Sequence, residues 1–223
     1  MKKKLLISGM LKYLCGVLAM GLMLFWPAGT IRYPGGWRLM AALFIPMLAL
    51  GIWLYVKHPS LLEKRLENRE TQTAQKAAVG LSGLLFILGF VLCGLDHRFG
   101  WTHVPLWLRV MAAVVQLLGY AAYAEVMREN AWLSRTVHVQ EGQQVVSSGL
   151  YGVVRHPMYT ATVFLFLSIP LVLGSWAGFA AFVPFVPVLM VRAVKEEQLL
   201  VKELNGYEAY QRKVKWRLIP YIW

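Results

Sequence analysis

The stretch YTATVFLFLSIPLVLGSWAGFAAFVPFVPVLMV, residues 159–191, decides the fold. It holds two apolar runs, about Tyr159–Leu173 and Trp176–Val191, joined only by Gly174-Ser175. An apolar helix needs roughly 17–25 residues to cross a bilayer. The pair therefore reads as a tight helical hairpin in lipid, tilted or incompletely spanning. Working outward, Leu5–Trp26, Trp37–Val56, Ala77–Leu95 and Pro105–Ala124 all have spanning length. The expectation is an all-α, polytopic membrane helix bundle of about six spans. Composition agrees, with 58% hydrophobic and 15% charged residues, where a soluble domain carries about 25% charged. The first span follows MKKK as a secretory leader would. Its apolar region is too long for one and no small-residue cleavage site follows, so it reads as a retained anchor.

The net charge of +12 raises the question of nucleic acid, and the placement of the charge answers it. With the N-terminus cytoplasmic, eighteen lysines and arginines fall on the cytoplasmic side, against Arg32, Arg38 and Arg98 on the other. This is the positive-inside asymmetry, reinforced by anionic headgroups, and no nucleic-acid partner is needed. Both chain ends then lie in the cytoplasm, as for a protein of a bacterial inner membrane. Cys15 and Cys93 both fall inside spans and read as small buried hydrophobes rather than a disulfide framework or a metal site.

Pro34-Gly35-Gly36 reads as a turn between the first two spans. Residues 57–76 are polar, with a short amphipathic surface helix in LLEKRLENRETQTAQK. Asp96, His97, Arg98 and His103 fall in the loop after the third span, without metal-ligand spacing, and read as loop polarity. Residues 1–124 thus form a four-span scaffold. Residues 125–223 carry the unusual chemistry.

Residues 125–158 are a long polar interval with two turn-like points and several valines that need burial. Val137-His138-Val139-Gln140 alternates like a short extended segment. A packed loop of this length is a plausible ligand site. Three groups stand out around it. In Gly149-Leu150-Tyr151 the glycine permits a tight backbone approach. In Arg155-His156-Pro157-Met158-Tyr159 the proline biases His156 away from helix and starts the next one, whose first-turn amides attract an anion or a hydroxyl. Arg155 either braces the loop or pairs with a carboxylate. The third group is Arg192, Glu196 and Glu197. Arg192 and Glu196 are four apart and share a helix face, while Glu197 faces differently. The hairpin brings the second and third groups to its two feet. Donors on one foot and carboxylates on the other suit a zwitterionic ligand.

These residues, with Asn205-Gly206-Tyr207-xx-Tyr210 and Ile219-Pro220 downstream and Asn130-Ala-Trp-Leu-Ser134 and Val137-x-Val139-Gln140 upstream, resemble the isoprenylcysteine carboxyl methyltransferase family. Phospholipid N-methyltransferases share the same C-terminal signature. The resemblance covers roughly residues 125–223. It implies S-adenosylmethionine as methyl donor, S-adenosylhomocysteine as product, and a pocket built from the 130–159 loop and the helix after the last span. It implies cofactor contacts at Gln140, Gly149, Leu150, Tyr151, Arg155, His156, Pro157, Tyr159, Glu196 and Glu197. Arg192 and Glu196 would be catalytic, and the methyl acceptor would be an amphiphilic lipid or isoprenoid from the bilayer. The chain departs from the family at Ala161 and Leu150, where glycine and proline are usual. A sterol-type reductase using NADPH shows an Asn and a Gly-Glu pair where this chain has Met158 and Ala161-Thr162. A non-catalytic lipid-binding scaffold is the third alternative.

Overall fold

The computed structural model describes residues 2–66, 73–134 and 139–223. Every regular element among them is helical, as a membrane requires, since helices satisfy their own backbone in lipid. Helix α1 is Lys2–Ala28, α2 Pro34–Lys57, α3 Pro59–Leu66, α4 Thr73–Phe99 and α5 Leu106–Glu129. After a long loop, which ends in a 3-10 turn at Gly149–Gly152, come α6 Pro157–Leu173, α7 Trp176–Phe182, α8 Phe185–Glu203 and α9 Tyr207–Lys213. Among the described residues, five segments are long and apolar enough to cross a membrane, with α7 and α8 counted as one, and α6 is a shorter apolar helix of 17 residues. At 1.5 Å per residue, α6 spans about 25 Å, a little less than a bilayer core. The fold is a polytopic helical bundle in which α5 packs on α6 and α4 packs on α1 and α7.

The hairpin forms as its sequence suggests. Gly174 ends α6 at φ 88° and Ser175 caps α7, accepting from the Gly178 amide. Its second arm is longer than the apolar run, because α8 continues unbroken to Glu203. Arg192, Glu196 and Glu197 therefore sit on the spanning helix itself.

Three local expectations change. Pro34-Gly35-Gly36 is the first turn of α2 rather than a connector. Proline suits that position because the first-turn amides have no helical partner. The glycines let neighbours close in: a Cβ on Gly35 would lie 2.9 Å from the Leu173 carbonyl oxygen, and one on Gly36 would lie 2.9 Å from the Phe25 ring. Cys93 is buried, but Cys15 is exposed on the outer face of α1. The amphipathic reading of 57–76 holds over α3, whose Leu61 packs with Leu54 and Met127; residues 67–72 lie outside the described residues, as do 135–138 with Val137 and His138.

The third change concerns Asp96. Helix α4 reaches Phe99, so Asp96, His97 and Arg98 lie in its last turn rather than in a loop. Asp96 is 2% exposed. Its carboxylate accepts from the Thr102 amide at 2.7 Å, from the Thr102 hydroxyl at 2.5 Å and from Ser175 Oγ. His97 stacks on Tyr33, whose hydroxyl donates to the Leu173 carbonyl at 3.0 Å. Asp96 thus ties α4 to the hairpin turn at the end of the bundle away from the long loop. Hydrogen bonds to a charged group contribute about 1.5–3 kcal/mol. Asp96→Ala is accordingly expected to destabilise the bundle by about 3 kcal/mol, read as a fall in the melting temperature of detergent-solubilised protein.

Candidate functional site

The two feet of the hairpin meet through Glu197. It is 4% exposed. Oε1 accepts from Arg155 Nε at 2.6 Å and lies 3.1 Å from His156 Nε2. Oε2 accepts from Arg217 Nε at 3.0 Å and Arg155 Nη2 at 3.3 Å. Arg155 Nη1 donates to the carbonyls of Val214 and Lys215 at 2.8 and 2.9 Å. Of the two alternatives at Arg155, the pairing with a carboxylate is present, and its remaining donors brace the tail rather than the loop. The tail also takes the backbone donors of this corner. The Arg155 amide donates to Trp216 and the His156 amide to Arg217, at 2.8 and 2.9 Å, and Thr160 Oγ1 donates to Leu218 O at 2.6 Å. Residues 214–218 thus form a strap across the start of α6.

In front of this buried knot lies a second chain of polar contacts. Arg192 Nε donates to the Tyr159 hydroxyl at 3.0 Å, and that hydroxyl donates to Glu196 Oε2 at 2.5 Å. The His156 ring stacks on Tyr159, with centroids 5.4 Å apart. Arg192 and Glu196 share a face, one helical turn apart, and Glu197 turns to the back. Glu196 Oε1 has no partner among the described residues.

The loop is built for close approach. Gly149 sits at φ 51°, and a Cβ there would fall 1.3 Å from Glu129 Oε1. Glu129 accepts from the Leu150 amide at 3.0 Å. Asn130 Nδ2 donates to the Tyr151 hydroxyl at 2.9 Å, and the Tyr210 hydroxyl donates to the Tyr151 carbonyl at 2.8 Å. Gln140 Nε2 donates to the Trp132 carbonyl, and the Gln140 amide donates to Gln143 Oε1. Val139 and Val145 pack with Leu204, Tyr207 and Tyr210, which is where the loop valines find their burial.

These elements enclose a cavity of about 910 Å³. Such a volume is at the upper end for ligand sites. Tyr151, Arg155, His156, Tyr159, Arg192 and Glu196 line its polar end. Its other end is apolar, with Leu50, Phe86, Leu165, Phe166 and Leu189 in the wall. Helices α2 and α4 scarcely touch. Between them the cavity reaches Met47, Val79 and Ile87, which are exposed residues of these apolar helices. Gly51 and Gly83 line this gap with open space where a Cβ would stand. One chamber thus joins a charged corner to the gap between α2 and α4.

Residues 104–206 match the family model of the phospholipid methyltransferases. The matched stretch includes α5, the loop, the hairpin and the Glu196–Glu197 pair, so it contains most of the polar corner. The match supports a membrane methyltransferase. It falls on a family related to the isoprenylcysteine carboxyl methyltransferases rather than on that family itself. Among curated proteins, a Delta(14)-sterol reductase of Methylotuvimicrobium alcaliphilum is 25% identical over 138 residues, 55% of this chain and 32% of that protein. A Delta(14)-sterol reductase of Mus musculus is 31% identical over 91 residues, 40% of this chain and 22% of that protein. The chain spans a third or less of the length of these relatives.

Against this background the predicted site residues divide in two. Six of them, Tyr151, Arg155, His156, Tyr159, Arg192 and Glu196, reach the cavity wall. Gln140, Gly149, Leu150, Pro157 and Glu197 do not line it, and Glu197 contacts the lining residues Arg155 and His156. Sequence reasoning missed Glu129, Arg217 and the 214–218 strap, and it gave no role to Tyr207. Tyr207 lines the cavity, is 4% exposed, and its hydroxyl has no partner among the described residues. A buried hydroxyl without a partner costs on the order of 1–3 kcal/mol.

Proposed function

We propose that this chain is an S-adenosylmethionine-dependent methyltransferase acting on an amphiphile drawn from the bilayer. The observation that carries the reading is the single chamber joining the polar corner to the gap between α2 and α4. Residues 125–223 form the catalytic core in this reading, with the polar end and both termini in the cytoplasm, as in a bacterial inner-membrane protein.

The donor set fits the cofactor. S-adenosylmethionine carries an ammonium, a carboxylate and a sulfonium, and when bound it supplies an electrophilic methyl group for in-line displacement. Glu196, with one oxygen uncommitted among the described residues of the cavity wall, would hold a cation there. His156, fixed by Glu197 and by stacking on Tyr159, would offer a ring edge to the cofactor. Arg192 lies beside Tyr159 on the cavity wall, where it would orient an anionic or carbonyl group of the acceptor. If the acceptor is an amine, Glu196 is placed to take its proton; a carboxylate acceptor needs no such step. The apolar end of the chamber excludes water from the reacting pair, which strengthens the electrostatic contacts there.

The test is isothermal titration of detergent-purified protein with S-adenosylhomocysteine. Saturable binding is expected, weakened roughly tenfold or more by His156→Ala, since a buried hydrogen bond to a charged group is worth about 1.5–3 kcal/mol and 1.4 kcal/mol is tenfold. No binding by the unaltered protein would remove the proposal.

The two reductase similarities favour one other reading, a sterol-type reductase using NADPH. Met158 and Ala161-Thr162 stand against it, since a sterol-type reductase shows an Asn and a Gly-Glu pair at those positions. Oxidation of NADPH in the presence of an enone sterol would revive it.

A further inference from the structure

Four tyrosines line the polar end of the cavity: Tyr151, Tyr159, Tyr207 and Tyr210. Three are committed within the chain. The Tyr151 hydroxyl accepts from Asn130, the Tyr159 hydroxyl donates to Glu196, and the Tyr210 hydroxyl donates to the Tyr151 carbonyl. The Tyr207 hydroxyl alone is buried and without a partner among the described residues. Burial first, and then the charges of Glu197 and Glu196, push its pKa well above the ordinary phenol range. It is therefore a donor throughout the physiological range, and it stands within electrostatic reach of Glu196.

Tyr207 lines the cavity, and a buried donor with no acceptor among the described residues calls for a partner from outside the chain. Tyr207 offers a hydrogen, and Glu196 Oε1 offers a lone pair in the same end of the same chamber. An α-amino acid terminus presents the complementary pair, a carboxylate and an ammonium. We propose that Tyr207 is a cofactor-binding residue whose hydroxyl donates to the carboxylate of the amino-acid end of the cofactor, beside Glu196 at the ammonium. The assignment rests on the methyltransferase reading above and adds to it a residue and a direction for the bound ligand.

Tyr207→Phe in the full chain removes only the oxygen. Deleting an unpaired buried hydroxyl is neutral or stabilising, so the melting temperature of the ligand-free variant should hold or rise. Tyr210→Phe, which breaks a made hydrogen bond to the Tyr151 carbonyl, should lower it and shows that the assay can see a lost bond. Titration with S-adenosylhomocysteine should show the affinity of Tyr207→Phe falling about tenfold or more. Titration with 5′-methylthioadenosine, which has the nucleoside but no amino-acid end, should show no change. Unchanged affinity for S-adenosylhomocysteine would overturn the assignment while leaving the methyltransferase reading intact. Equal losses with both ligands would place the donor on the nucleoside and overturn it as stated. A lowered melting temperature in the ligand-free Tyr207→Phe variant would show that the hydroxyl serves the fold, and would overturn it too. If the unaltered protein binds neither ligand, the methyltransferase reading itself falls.

Discussion

Replacing Glu197 by alanine is expected to destabilise the protein by roughly 3–5 kcal/mol, the cost of stripping one partner from a buried ion pair. Three cationic or hydrogen-bonding side chains converge on this carboxylate: Arg155, His156 and Arg217. They come from the loop end of α6 and from the tail, so Glu197 joins three segments far apart in sequence. Without it, the Arg155 guanidinium stays buried with two carbonyls and no counter-charge. The strap at 214–218 then loses its fastening to α8. The measurement is thermal unfolding in detergent, with Glu197→Gln as the milder comparison, since an amide keeps the shape and part of the hydrogen bonding. A melting temperature within a degree or two of the unaltered protein would contradict the structural role. By the same argument, loss of methyl transfer in Glu197 variants is expected to follow loss of fold.

Glu196→Gln is expected to show the opposite pattern. Glu196 is half-buried at the cavity wall, and its contact among the described residues is with the Tyr159 hydroxyl, which a glutamine can still receive. Folding should be nearly unaffected. Methyl transfer to an amine acceptor should drop by about 10²–10⁴-fold, the usual contribution of a positioned general base, and for any acceptor the affinity for the cofactor should fall with the lost charge. Melting curves that match the unaltered protein, together with a rate loss of at least two orders of magnitude, separate Glu196 from Glu197. Adjacent in sequence, the two carboxylates serve different tasks because α8 turns 100° between them.

That separation marks the boundary of what the sequence conveys. The hairpin was legible because its spans are apolar and its turn is two residues long, which forces Arg155-His156 and Arg192-Glu196 to one end. The shared face of Arg192 and Glu196 followed from helical periodicity alone. Which carboxylate faces the cavity did not, because that depends on what packs behind α8. The answer lies in Arg217 and in the carbonyls of Val214 to Arg217, and their return across the start of α6 is a tertiary closure without a local signal. Glu129 was hidden for a similar reason. The glycine of Gly149 signals a tight approach, but not which side chain makes it.

Asp96 failed for another reason. A polar cluster after an apolar run reads as a loop, yet α4 continues through Phe99 and takes Asp96 inward. A clue was present in Thr102, six residues on, and in Ser175 at the hairpin turn, both suited to a buried carboxylate. In the N-terminal half, the spans were read as scaffold. Leu50 and Phe86 from that half nevertheless wall the apolar end of the chamber, and only the packed bundle shows the gap between α2 and α4.

The most direct test of the account supplies purified protein with S-adenosylmethionine labelled in its methyl group and a total membrane extract. Label is expected in an extractable amphiphile, dependent on the protein and lowered by Glu196→Gln at unchanged fold. Label that remains wholly in the cofactor across all membrane fractions, with folded protein present, would contradict it.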